Sequence, residues 1–136
     1  MSETFDIGPL TWVKDQINQS LDAVLANLNT VLGNMHDTAP LRFSQTHLYQ
    51  ATGALDMVGL DGCKRFCSEL EKLAGKLEKK TIEATPELIQ AFIKAVDSLK
   101  AYLQDLLNGA PDIPLRLFST LSPIVLAQGE DRKSVV

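Results

Sequence analysis

The sequence predicts an all-α fold: an antiparallel up-down four-helix bundle followed by a short C-terminal helical segment. Three observations lead there. Apolar residues recur every three or four positions through four long stretches. Glycine or proline punctuates the ends of these stretches. Strand-like alternation of apolar and polar residues is absent.

The bulk composition agrees. A chain of 136 residues, 45% apolar, fits one domain with a core of Leu, Ile, Val and Ala. The expected organisation is a flexible arm over residues 1–8, the helical domain over 9–128, and a linker or segment end over 129–136 inside a longer protein. The net charge of −4, without a dense basic cluster, argues against nucleic acid. The Lys79–Lys80 doublet reads as a solvated helix end. No apolar run reaches membrane-spanning length and no signal pattern opens the chain, so a cytoplasmic protein with no direct membrane insertion is expected.

Taken in order, Pro9 suits a helix start, because its missing N–H costs nothing there. Leu10, Val13, Ile17, Leu21, Val24, Leu28 and Val31 or Leu32 then form one stripe, which Gly33 ends. Trp12 is expected near that stripe, in core or inter-helix packing. Asn34–Ala39 is a polar connection, and Pro40 opens a second helix reaching about Val58. The third helix starts near Asp61, expected to cap it, and buries Cys63, Phe66, Cys67, Leu70, Leu73, Ala74 and Leu77. Its other side carries charges of mixed sign and reads as solvated. After a loop at Lys80–Ala84, Thr85, Pro86 and Glu87 supply a capping hydroxyl, an N1 proline and an acid at the positive end of the dipole. Ile89, Phe92, Ile93, Val96, Leu99, Leu103 and Leu106 line the fourth helix, which stops at Gly109. Ala110–Pro114 is extended. Leu115–Gln128 reads as a short, interrupted helical segment with Pro123 a break point.

The functional signal lies in Thr46–Leu60, THLYQATGALDMVGL. Leu48, Ala51, Leu55 and Val58 mark the buried face of the second helix, with Tyr49 about 140° from its centre and so exposed. Gly53 sits one turn on, on the same exposed side, and leaves backbone bare beside Tyr49. Gly59 closes the helix. Asp56 lies two turns beyond Tyr49 on roughly the same side, where its charge disfavours a phosphoryl group.

This arrangement resembles the active helix of histidine phosphotransfer domains, whose pattern is His, two residues, Lys, Gly and a second glycine six positions later. Gly53 and Gly59 match. Tyr49 stands at the histidine position and Thr52 at the lysine position. A phenol with a pKa near 10 is a poor nucleophile at neutral pH, and no cation at position 52 assists a phosphoryl group. The resemblance therefore implies the fold and docking face of the family without its chemistry.

The long first helix beginning near Trp12, the degenerate motif from Tyr49 to Leu60, and the tail from Ile113–Pro114–Leu115–Arg116–Leu117–Phe118 through Ala127–Gln128–Gly129 resemble one group more closely. This is the N-terminal domain of the hybrid histidine kinases of type IV pilus chemotaxis systems, to which the twitching-motility regulator FimL is related. The resemblance implies a longer parent kinase and a receiver domain or pilus-pathway scaffold protein as partner. It carries over no catalytic residue and implies no cofactor. The expected interaction face is Tyr49, Gln50, Thr52, Gly53 and Asp56.

Two rival readings belong beside it. His47 could serve as phosphoacceptor in a shifted frame, but it falls about 60° from the apolar centre, on the flank of the buried face. A homodimerising bundle is the other. His36 reads as polar loop filler. Cys63 and Cys67 read as small buried hydrophobes, since no further Cys pair or spaced His completes a metal site. No Ser/His/Asp set, phosphate-binding glycine loop or paired carboxylates appear.

Overall fold

The computed structural model describes residues 8–121. These are all-α: α1 (Gly8–Gly33), α2 (Ala39–Met57), α3 (Asp61–Glu78), α4 (Pro86–Leu107) and α5 (Leu115–Phe118), followed by a 3₁₀ turn at Ser119–Leu121. Gly8, expected in the arm, is already helical. The rest of the arm, Pro123, the linker and the Ala127–Gln128–Gly129 part of the tail lie outside the described residues. Among the described residues, no helix is long and apolar enough to cross a membrane.

The helices share one core. Leu10, Ile17, Leu21, Val24 and Leu28 of α1 meet Leu41, Leu48 and Leu55 of α2, Phe66, Leu70 and Leu73 of α3, and Phe92, Val96 and Leu99 of α4. Specific contacts give the helix directions. Along α2, Arg42, Gln45, Leu48 and Asp56 meet Glu78, Gly75, Cys67 and Lys64 of α3 in descending order, so the two run antiparallel. The same order reversal relates Leu10 and Asp22 of α1 to Leu107 and Lys100 of α4. Helix α1 also packs along α2.

The helix ends follow local chemistry. Gly59 adopts φ +80°, its N–H donates to the Asp56 carbonyl, and Leu60 N–H donates to the Leu55 carbonyl. This double bond pattern satisfies the last carbonyls of α2 and needs a left-handed residue. Gly109 does the same for α4 at φ +100°. Lys80 does it for α3 at φ +62°, without the conformational freedom of glycine. At the start of α4, Thr85 Oγ1 accepts from Leu88 N–H at 3.1 Å, as its sequence signature required.

Two expectations fail here. Asp61 does not cap α3: Leu60 occupies the cap position, and Asp61 is the first helical residue. The glycine turn at Gly59 runs straight into α3, leaving no spare residue ahead of Asp61. The acid then acts on the N-terminal dipole alone. Trp12 is not packed; its side chain is 90% exposed. It lies about 200° around the helix from Leu10, opposite the buried stripe.

The segment after α4 closes over the α3–α4 side. Tyr102 Oη donates to Asp112 Oδ1, and the rings of Phe66 and Phe118 meet edge to face at 5.7 Å. Gly62 gives Pro114 room: a Cβ there would lie 2.3 Å from Pro114 Cγ.

Candidate functional site

The site is built by α2, whose buried face is set by Leu41, Leu48, Ala51 and Leu55, all at most 1% exposed. With that face fixed, helical periodicity turns Tyr49 outward, and it is 67% exposed. Gln50, Gly53 and Asp56 are exposed as well. Gly53 stands in open space: among the described residues, an added Cβ would meet nothing within 4 Å beyond its own helix backbone and chain neighbours. No internal packing therefore demands a glycine there.

His47 is partly buried, on the flank of the packed face. His36 is exposed in the α1–α2 connection, where its backbone N–H donates to Asn34 Oδ1. The two histidines thus occupy different environments, and neither stands on the outer face of α2 beside Tyr49.

Thr52 departs from the expected interaction face. It is only partly exposed, and its hydroxyl donates to the Leu48 carbonyl at 2.8 Å. The same carbonyl accepts from Cys67 Sγ at 3.4 Å, so position 52 turns toward α3 rather than to solvent. Burial pushes the Cys67 thiol up to about 11, with Glu71 adding to the rise and Thr52 opposing it. Burial also raises the Glu71 carboxyl. The Thr52 hydroxyl thus has the Leu48 carbonyl and the Cys67 thiol beside it.

The sequence pattern did not reveal the ion pairs that form between α2 and α3. Lys64 Nζ lies 2.9 Å from Asp56 Oδ1, and Arg42 lies 3.5 Å from Glu78. The hydrogen bond to Asp56 and its charge raise the Lys64 pKa. Lys64 and Arg42 each have an acid beside them, so these two cations offer a phosphoryl group little uncommitted positive charge. Helix-to-helix pairing of this kind has no one-dimensional signal, because the partners are 8 and 36 positions apart.

Two apolar residues of the same face also escaped the pattern. Phe43 and Met57 are exposed, Met57 by 81%. Together with Gln50 they form a stripe at seven-residue spacing beside Tyr49, about 80–120° around the helix from it. Half of the large apolar side chains exposed among the described residues, Phe43, Tyr49 and Met57, belong to α2.

Cys63 and Cys67 are both free thiols buried in the core. Burial, then the Asp112 charge, pushes Cys63 up to about 12. Among the described residues, no group of three His, Cys, Asp or Glu side chains is placed to hold a metal. Comparison with known protein families, characterised proteins and solved structures finds no match for this chain.

Proposed function

We propose that the chain is a non-catalytic, phosphotransfer-like interaction module of a type IV pilus or chemotaxis signalling kinase. In this reading its long helices form an antiparallel four-helix bundle of the phosphotransfer type. The exposed face of α2 docks a cytoplasmic receiver domain or a pilus-pathway scaffold protein without accepting phosphate. The observation that carries the reading is the pairing of an exposed Tyr49 with Gly53, a mid-helix glycine in open space. A glycine inside a helix costs about 1 kcal/mol relative to alanine, and close approach of a partner gives it a purpose. Tyr49 supplies a rigid aromatic anchor, with Gln50 and Met57 beside it.

The chemistry of the face supports docking over phosphorylation. An imidazole nucleophile is missing from the outward position, and the nearby cations are held by Asp56 and Glu78. The test is a binding titration against receiver domains of the pathway, followed by acid-labile phosphate mapping after incubation with a phosphorylated receiver. Binding that Gly53→Arg weakens by at least about tenfold, without label on the chain, is the expected result. Label on His47, or binding indifferent to Gly53→Arg, overturns the reading.

A further inference from the structure

The same face is complementary to itself, and we infer that α2 pairs with α2 of a second copy of this chain about a twofold axis at Tyr49. Arg42 and Asp56 lie seven residues to either side of Tyr49 and within about 20° of it around the helix. At about 1.5 Å per residue, each stands about 10 Å from the axis. A twofold axis reverses the helix direction, so Arg42 of one copy faces Asp56 of the other at both ends of the contact.

The inter-helix ion pairs extend this match. At one end the cation is on α2 and the acid on α3, Arg42 with Glu78; at the other the acid is on α2 and the cation on α3, Asp56 with Lys64. The twofold rotation therefore sets Glu78, Arg42, Asp56 of the second copy and Lys64 of the second copy in one row of alternating sign. A parallel pairing would instead put like charges together. At the centre the two Tyr49 rings meet on the axis. Gly53, without a side chain, allows the helices to approach there. Arg42 and Asp56 are exposed and Lys64 and Glu78 partly so, so the association is weak and salt-sensitive.

The pairing stands on the residues of the face and does not depend on receiver docking. Sedimentation equilibrium on the whole chain at millimolar concentration and low salt is the test, with Arg42→Glu and Asp56→Lys measured alone and mixed. Either substitution alone sets like charges against each other, and a loss of about tenfold or more in dimer affinity is expected. The mixture restores opposite charges at both ends, so the two variants together dimerise as the unaltered chain does. A monomeric unaltered chain, single variants that dimerise normally, or a mixture no tighter than its parts each overturn the inference.

A second variant guards against misfolding. Tyr49→Cys should form an intermolecular disulfide on mild oxidation, well ahead of the exposed α4 control Gln90→Cys; equal rates overturn the twofold placement. Arg42→Glu keeps Tyr49 and Gly53, so receiver binding read in that variant separates failure of pairing from failure of docking.

Discussion

At the scale of single residues, α2 keeps a glycine where its own fold gains nothing from one. Gly53→Ala places a methyl in open space within a helix, so it should raise unfolding free energy by about 1 kcal/mol in a urea titration. Lys80 presents the opposite case, a side chain held at φ +62° in a position that suits glycine. Lys80→Gly should stabilise by about 1 kcal/mol, with α3 intact by circular dichroism. A destabilised Lys80→Gly chain would mean that the lysine side chain compensates for its backbone.

The thiols give a pH dependence of definite sign. Burial holds Cys63 up to about 12 and Cys67 up to about 11, against 9.0 for a free thiol. The folded chain therefore keeps protons that the unfolded chain loses. Stability is undiminished below about pH 9 and falls as pH rises from there toward 11 and 12. Burial and the bond to Asp112 raise the Tyr102 phenol, which acts in the same direction. Chemical denaturation at pH 7, 9 and 10.5 checks this: a flat profile would show that neither thiol is buried as described.

At the scale of elements, the closing segment behind α4 depends on small, separable contacts. Gly62→Ala drives a methyl into Pro114 and should cost about 1–3 kcal/mol. Tyr102→Phe removes one hydrogen bond to an exposed carboxylate and should cost about 1 kcal/mol. Both should loosen the 110–121 segment in hydrogen exchange before they loosen α1 or α2. Equal loosening throughout would make the segment part of one cooperative core.

Much of this scale was legible in the residues. Leu10 through Val31 repeat at helical intervals, Thr85–Pro86–Glu87 announce α4, and Gly59 and Gly109 take the left-handed turns that their positions suggested. Lys80 escaped because a lysine carries no signal for the left-handed turn that it adopts. Trp12 was expected beside the stripe of α1, but at about 200° around the helix from Leu10 it faces water. The register of Arg42 with Glu78 and of Asp56 with Lys64 depends on how α2 and α3 slide along each other, and periodicity within one helix carries no such information.

At the scale of the whole molecule, one packed core orients α2 so that a phenol, a bare turn of backbone and an apolar stripe share its outer surface. The proposed function joins these into a docking face with its nucleophile replaced. The candidate face was visible in the sequence through Tyr49 and Gly53. Phe43 and Met57 joined it only once the helix had an outside, and Thr52 left it once its hydroxyl had turned to the Leu48 carbonyl.

The most direct measurement is an NMR titration of the labelled chain with a phosphorylated receiver domain of the pilus pathway. The amides of Tyr49, Gln50, Gly53 and Met57 are expected to shift together as the receiver is added, while both histidine rings keep their unphosphorylated resonances. Phosphohistidine signals from His47, or shifts confined to helices other than α2, would contradict docking on α2 without phosphate transfer.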